Sequence, residues 1–327
     1  MRIDVHAHYF PTDYVDYLAD LGLPVRGMGQ AVDVSSRLAT LDANEVDAQV
    51  LSAVGLDTQV PDPVKAAKAA RYINDKYKEL ELTHKGRFRS FGWVPLPYVD
   101  EAIKEAIYCL DDLKFAGLCF PCFYQGKPLD DPDFEPFWSE LDRRSAVAYV
   151  HPVGQHSCCH HGLKDFGLHT AYGSPLQLST AATRIIYSGV QARYPNIKFV
   201  FAVCGGYLPF MWSRLEKNLR RGLDMTATAA VGANFFGWVK KLPLDPADPM
   251  SAYKKFWYDT SVQDVPHAML LVKESYGVDR LVLGSDEIFA SLTEAVAYIK
   301  NDPYLTDAEK TAILDENAQK LLNLQPF

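Results

Sequence analysis

The sequence lacks features that mark several classes of protein. It has only six cysteines in 327 residues, too few for a fold held together by disulfide bonds at this length. Its 33 basic residues are outnumbered by 41 acidic ones, for a net charge of −8, which argues against the basic surface of a nucleic-acid-binding protein. We therefore expect a small-molecule substrate and no nucleic acid.

Long apolar runs are missing as well. No stretch approaches the roughly 18 residues that a membrane-spanning helix requires, and the longest apolar runs, such as Phe199–Cys204, have the length of strands. The first residues show neither the basic segment nor the apolar segment of a signal peptide. We expect no membrane partner, a cytoplasmic location and reduced thiols.

Short apolar runs alternate with longer amphipathic segments along the chain. Eight runs are predicted to be strands, because most are apolar without alternation, as parallel strands buried on both faces are. They are Ile3–His6, Ala48–Ser52, Ser90–Val94, Gly117–Phe120, Ala146–His151, Lys198–Val203, Phe256–Asp259 and Arg280–Ser285. Eight strand–helix units predict an α/β fold, a single (β/α)8 TIM barrel over residues 1–327. The alternative, a doubly wound sheet, would require a glycine-rich turn after an early strand, and the sequence has none there.

Two segments are predicted to be loops inserted into the barrel, after strands five and six. The first, Pro152–Pro175, is rich in histidine, glycine and cysteine, and the second, Met225–Met250, contains alanine, glycine and proline. Loops that follow barrel strands commonly shape the active site. Between the strands the helical pattern is clear, for example in Pro63–Thr83, and Thr306 and Glu309 have the spacing of a capping box.

Histidine and aspartate stand at the ends of three predicted strands. His6 ends strand one and His8 lies two residues further on, His151 ends strand five and Asp286 follows strand eight. Residues i and i+2 of a strand point to the same side, so both imidazoles of strand one can reach one point at the barrel mouth. Three imidazoles and one carboxylate are suited to a catalytic zinc site. Taken singly, each residue also has a structural interpretation, such as a helix cap for Asp286.

Motifs in strand order carry a resemblance to a known family. The chain reads IDVHAHYFP from Ile3, LDANEVDAQVLS from Leu41, GGYLP from Gly205, YDTS from Tyr258 and VDRLVLGSDE from Val278. It resembles the amidohydrolase superfamily, in the branch that contains aminocarboxymuconate-semialdehyde decarboxylase and aromatic-acid decarboxylases of the γ-resorcylate, 5-carboxyvanillate and 6-methylsalicylate types.

The resemblance implies a metal site and a reaction. It implies that His6, His8, His151 and Asp286 hold one divalent ion, usually zinc and in some members manganese, and that the protein is a homodimer. The implied activity is non-oxidative decarboxylation of a small aromatic or unsaturated acid, with Asp286 as the proton donor. Two alternatives stay open. One is metal-dependent hydrolysis or hydration of a lactone, ester or amide, and the other is a divergent barrel that binds a ligand without catalysis.

Two positions depart from the family's pattern. Val203 stands where strand six of the family ends in a histidine, and Glu287 follows Asp286 where members commonly continue with Tyr-Pro. Valine can neither donate nor accept a proton, which weakens the hydrolytic alternative more than direct protonation of a ring. Cys204 is expected to point to the other side of the strand.

Other residues are candidates for supporting roles around this centre. Asp259, at the end of strand seven, is a candidate partner that orients a metal-binding histidine, and a helix cap is the alternative. His169 lies in the first inserted loop and is a candidate substitute for the lost imidazole, as are His156, His160 and His161. Glu287 is a candidate contact to the substrate or to a metal ligand.

Overall fold

Eight parallel strands form one sheet in the computed structural model of the protein. In the order in which they pair, they are β1 Ile3–His8, β2 Ala48–Ser52, β3 Phe88–Trp93, β4 Gly117–Pro121, β5 Val147–His151, β6 Lys198–Phe201, β7 Trp257–Asp259 and β8 Leu281–Val282. Every neighbouring pair is parallel. The structure describes residues 1–22, 33–54, 60–153, 163, 165–224, 239 and 241–324.

The segment after β8 closes the sheet against β1. Val5 N donates a hydrogen bond to Leu283 O at 2.9 Å. One step further along, Asp286 N donates to His6 O, also at 2.9 Å. These bonds bring the last strand beside the first, so the predicted (β/α)8 barrel is confirmed.

Helices flank the barrel. The α-helices are Thr12–Asp20, Val34–Ala43, Pro63–Thr83, Val99–Ile107, Glu135–Arg143, Ser174–Tyr187, Val190–Arg193, Leu208–Asp224, Ala268–Tyr276, Leu292–Asn301, Asp307–Thr311 and Asn317–Leu322. Shorter turns of π- or 3₁₀-helix lie at Tyr108–Asp112, Pro132–Phe134, His169–Gly173, Val203–Gly205, Tyr253–Lys255 and Ala312–Glu316, and a small hairpin pairs Phe123–Tyr124 with Lys127–Pro128. In the part of the chain that the structure describes, no helix is both long and apolar enough to cross a membrane.

Local sequence signals explain where the regular helices begin. The side chain of Asp62 accepts a hydrogen bond from Lys65 N at 2.8 Å, and Pro63 occupies the first turn, where its missing N–H is not needed. Thr306 and Glu309 form the predicted capping box at the start of Asp307–Thr311.

The end of β6 differs from the prediction. The strand was expected to run to Val203, and it ends at Phe201 because Val203 and Cys204 have φ angles of 51° and 49°. These left-handed conformations are incompatible with an extended strand. The prediction that the side chains of Val203 and Cys204 alternate across a strand was therefore wrong, because neither residue lies in a strand. Residues 154–162, 164, 225–238 and 240 of the two inserted loops lie outside the described residues.

Candidate metal centre

The carboxyl ends of β1 and β5 and the segment after β8 bring four polar side chains to one point. His6, His8, His151 and Asp286 each offer one ligand atom, and these atoms all lie within 4.8 Å of one another. His6 Nε2 lies 3.2 Å from His8 Nε2, and Asp286 Oδ1 lies 3.2 Å and 3.0 Å from these two nitrogens. The histidines are buried, whereas the Asp286 side chain is 26% exposed. Asp286 is thus the member of the group that faces the mouth.

The backbone around Asp286 allows this close approach. A Cβ atom on Gly284 would lie 2.7 Å from Asp259 Cβ and 2.9 Å from His6 Cβ, so only glycine lets the segment after β8 pack between β7 and β1. Asp286 itself has a φ of 59°, a left-handed conformation that aspartate tolerates better than most residues. The centre therefore depends on backbone geometry as well as on its four side chains.

Asp259 lies directly behind His6. One carboxylate oxygen, Oδ2, lies 2.9 Å from His6 Nδ1 and accepts a hydrogen bond from the Tyr149 hydroxyl at 2.9 Å. The other, Oδ1, accepts from Ser261 Oγ at 2.6 Å, from Ser261 N at 3.0 Å and from Val203 N at 2.9 Å. A proton on His6 Nδ1 is thereby directed to Asp259, which leaves Nε2 to face the centre. This is the contact that the predicted orienting role of Asp259 requires.

His151 is oriented by its own neighbour in the chain. Its Nδ1 lies 2.6 Å from Pro152 O and donates to that carbonyl, so Nε2 is the nitrogen left for the centre. The rings of His6 and His8 lie close by, with centroids 5.0 Å and 4.8 Å from that of His151. Burial, and next the neighbouring imidazoles, hold the pKa of His151 well below its ordinary value. These surroundings favour the neutral imidazole, which is the form that binds a metal.

The two carboxylates make the centre attractive to positive charge. Burial alone would lower the pKa of His6, but Asp259 and Asp286 outweigh it and raise this pKa to about 10. Burial would likewise raise the pKa of Asp286, and His6 and His8 instead hold it below its ordinary value. The field that stabilises a proton on His6 also favours a cation, and three imidazole nitrogens with one carboxylate oxygen are a ligand set suited to zinc or manganese. The residues present therefore fit a divalent ion.

Three other residues predicted for this site, Glu287, Val203 and His169, are not among the four candidate ligands. The Glu287 carboxylate is engaged by Arg37 Nη1 at 3.2 Å and by Gln49 Nε2 at 2.7 Å. The backbone N–H of Val203 donates to Asp259, the residue behind His6, and the Val203 side chain is half-buried. For His169, no hydrogen bond or ring contact with the four candidate ligands occurs among the described residues. His156, His160 and His161 lie outside those residues.

Sequence reasoning missed two aromatic side chains beside His8. Phe10 stacks on the His8 ring with centroids 5.8 Å apart, and Phe289 contacts it edge-on at 5.0 Å. Phe289 is 53% exposed, so an apolar ring stands open at the mouth. The signal for Phe10 was its position two residues after His8 in the first motif. Phe289 had no such signal, because its approach to His8 depends on the turn after Asp286.

Several known proteins with similar sequences are decarboxylases. 2-Amino-3-carboxymuconate-6-semialdehyde decarboxylase of Dictyostelium discoideum is 28% identical over 300 residues, which cover 90% of this chain and 77% of that protein. Gamma-resorcylate decarboxylase of Rhizobium radiobacter is 26% identical over 302 residues, with 88% and 86% covered.

Solved structures show the same architecture. A mutant of 5-carboxyvanillate decarboxylase from Novosphingobium aromaticivorans superposes with a TM-score of 0.82 at 18% identity, over 99% of this chain and 97% of that one. That structure contains manganese and 3-methoxy-4-hydroxy-5-nitrobenzoic acid. At this identity the likeness shows the fold. A family model described as Amidohydrolase matches residues 3–324, and the chain therefore belongs to the amidohydrolase family.

Proposed function

We propose that the protein is a metal-dependent, non-oxidative decarboxylase of a small aromatic acid. The observation that carries the proposal is the convergence of His6, His8, His151 and Asp286 within 4.8 Å, in a chain whose curated relatives are carboxy-lyases. His6 Nε2, His8 Nε2, the Nε2 of His151 and Asp286 Oδ1 would hold the divalent ion. When bound, that ion supplies electrophilic stabilisation of the negative charge that develops as a carbon–carbon bond breaks.

Asp286 is the proposed proton donor. Its side chain is the exposed one of the four, so the oxygen that is not shared with the histidines can meet a substrate at the mouth. The Asp286 carboxyl group would protonate the ring carbon that carries the substrate carboxylate. The bond to the carboxylate then breaks, its electron pair returns to the ring, carbon dioxide leaves, and a proton from water restores the acid. Burial favours the protonated acid, whereas His6 and His8 favour the carboxylate and hold the pKa of Asp286 below its ordinary value.

The walls beside His8 support an aromatic substrate. Phe10 lies stacked on the imidazole and Phe289 meets its edge while staying half-exposed. Phe10 is only 2% exposed and supports the imidazole from within the protein, whereas a planar substrate ring can pack against the open Phe289 ring by offset or edge-on stacking, which adds about 0.5–1.5 kcal/mol beyond the area buried. Phe289 and the polar ligands would together hold a carboxylated ring with its acid group toward the centre.

Carbon dioxide release tests the proposal directly. Protein supplied with one equivalent of Mn²⁺ or Zn²⁺ should release carbon dioxide from at least one of a panel of hydroxybenzoates that includes 2,6-dihydroxybenzoate. Chelator-treated protein is the control and should release none. Turnover of lactones or activated esters without carbon dioxide would overturn the proposal in favour of a hydrolase.

The identity of the metal is a finer part of the proposal. The sequence predicts zinc, and the bound manganese of the carboxyvanillate decarboxylase structure makes manganese the competing candidate. Three imidazole ligands favour zinc, whereas a carboxylate with open positions for substrate oxygens is also suited to manganese. Elemental analysis of protein purified without chelator, followed by activity with each ion added to the apoprotein, separates the two.

A homodimer and a cytoplasmic location remain predictions of the resemblance and of the sequence. Analytical ultracentrifugation at micromolar protein should give a mass of twice 36.6 kDa. A mass of one chain across the concentration range would contradict the dimer. Fractionation of cells that express the protein should recover it with the cytosolic markers.

A further inference from the structure

Arg37 joins the segments that carry two of the candidate ligands. It lies on the helix Val34–Ala43 and is 1% exposed. Its Nη2 donates to the backbone carbonyl of His8 at 2.8 Å, and its Nη1 lies 3.2 Å from Glu287 Oε2. One guanidinium therefore touches the end of β1 and the residue that follows Asp286.

Gln49 and Asp4 extend this contact beneath the centre. Gln49 Oε1 accepts from Arg37 Nη1 at 2.6 Å, while its Nε2 lies 2.7 Å from both Glu287 Oε2 and Asp4 Oδ2. Asp4 in turn accepts from Ser285 N at 3.0 Å and from Ser285 Oγ at 2.6 Å. The residues on both sides of Asp286 are thus anchored to one buried polar network.

The anchored residue itself has an unusual backbone conformation. Asp286 has a φ of 59°, and such a conformation persists only where the surroundings determine it. Its carbonyl oxygen accepts hydrogen bonds from Phe289 N at 2.9 Å and Ala290 N at 2.8 Å, which forms a tight turn. Backbone hydrogen bonds from Asp286 N to His6 O at 2.9 Å and from His8 N to Glu287 O at 2.8 Å tie the start of this turn to β1. The turn has no regular secondary structure of its own, so the side-chain contacts of Ser285 and Glu287 add to these two bonds in fixing its orientation.

We propose that Arg37 and Glu287 are positioning residues whose ion pair holds the turn that points Asp286 at the three histidines. The inference rests on the metal site proposed above. Because the Arg37 guanidinium forms its ion pair with Glu287, we do not expect it to bind a substrate carboxylate. Arginine is suited to this place because its planar fork donates in two directions at once, to a carbonyl and to a carboxylate, which a lysine cannot reproduce.

The variant Glu287→Gln removes the charge and keeps the shape. The matched control is Glu105→Gln, because the Glu105 carboxylate also accepts from an arginine, Arg71, and from an amide, Asn74 Nδ2 at 2.9 Å, and its side chain is 5% exposed against 13% for Glu287. Both variants weaken a carboxylate–arginine pair and should lower stability, although the arginine of the control pair is itself 46% exposed. Only the first is tied to the candidate metal centre.

Mn²⁺ binding, followed by electron paramagnetic resonance, is the measurement. We expect Glu287→Gln to weaken Mn²⁺ binding by about 10- to 100-fold, the range found when residues that orient metal ligands are changed, and to alter the spectrum of the bound ion. The control should bind within about twofold of the wild-type protein, even though its melting temperature falls. In decarboxylation, kcat of Glu287→Gln should fall while KM stays within about threefold, since neither partner touches substrate.

A second variant covers the case in which Glu287→Gln does not fold. Arg37→Lys keeps the charge and loses the fork, and it too should weaken Mn²⁺ binding. Wild-type affinity and an unchanged spectrum in the folded variants would overturn the inference and leave the metal site standing. If the wild-type protein binds neither Mn²⁺ nor Zn²⁺, the metal site fails and the inference fails with it.

Discussion

The ends of β6 and β8 have similar backbones and opposite chemistry. Both strands are followed by a residue in the left-handed conformation, with φ angles of 51° at Val203 and 59° at Asp286. In both, a backbone N–H donates to a buried carboxylate: Val203 N to Asp259 Oδ1 at 2.9 Å, and Ser285 N to Asp4 Oδ1 at 3.0 Å. The left-handed residue after β8 is an aspartate whose carboxylate contacts His6 and His8, whereas the left-handed residue after β6 is a valine.

At the β6 end, the resemblance predicts a histidine, and the structure has a valine in a left-handed conformation. A β-branched residue with positive φ is a rare and strained combination, and strain of this kind amounts to about 1–3 kcal/mol. Nothing in the chemistry of valine requires that conformation. In that conformation the Val203 N–H donates to Asp259, which also contacts His6.

The largest effect is expected at the β8 end. Asp286→Asn removes the proposed acid while preserving its size, and carbon dioxide release should fall by about 10²- to 10⁴-fold, the usual contribution of a positioned acid. The three imidazoles should still retain a metal ion, which elemental analysis checks. Asp315→Asn, which alters a part-buried pair with Arg2, is the control. Release within tenfold of wild type would show that the β8 end does not carry the chemistry.

Asp259 contacts the backbone of the β6 end and one histidine of the centre, so its loss tests whether the two are coupled. Asp259→Asn should weaken metal binding by about 10- to 100-fold, because His6 loses the carboxylate that directs its Nδ1 proton. The backbone N–H of Val203 loses a charged acceptor as well, and chemical denaturation should show a lower free energy of unfolding. Unchanged metal affinity, measured by competition with a chelator, would separate β6 from the centre.

Gly284 tests the packing that brings the β8 end to the centre. The added methyl group of Gly284→Ala would lie 2.7 Å from Asp259 Cβ, and overpacking of this kind lowers the free energy of unfolding by about 1–3 kcal/mol. Metal affinity should fall with stability, since Asp286 is displaced. Gly22→Ala, at a positive φ with open space around it, is the control that lowers stability alone. A normal metal affinity in Gly284→Ala would mean that the centre tolerates the shift.

The smallest effect is expected at the β6 end. Histidine enters the left-handed region more readily than valine, so Val203→His should leave the free energy of unfolding unchanged or raise it by up to about 1 kcal/mol. Decarboxylation should stay within about tenfold, because direct protonation by Asp286 does not need an imidazole at β6. Thermal melting and a kcat measurement check both points. A loss of more than tenfold would indicate a pocket built around valine.

The sequence was sufficient to predict the barrel and the four candidate ligands, because these follow from local patterns. Apolar runs show the strands, and polar residues at their carboxyl ends are visible without a structure. The contacts behind the ligands are not local. Tyr149 and Asp259 are 110 residues apart, and Arg37 and Glu287 are 250 residues apart, so no spacing rule could pair them. The left-handed Val203 was missed because valine favours strands.

Anomalous scattering from a crystal grown with Mn²⁺ is the most direct test of the metal site. We expect one anomalous peak, bound by His6, His8 and His151 and by Asp286, with an open position toward the mouth. We expect no second metal ion beside Val203. An absent peak in protein that is saturated with Mn²⁺ in solution, or a peak held by other residues, would show that these four residues do not form the metal site.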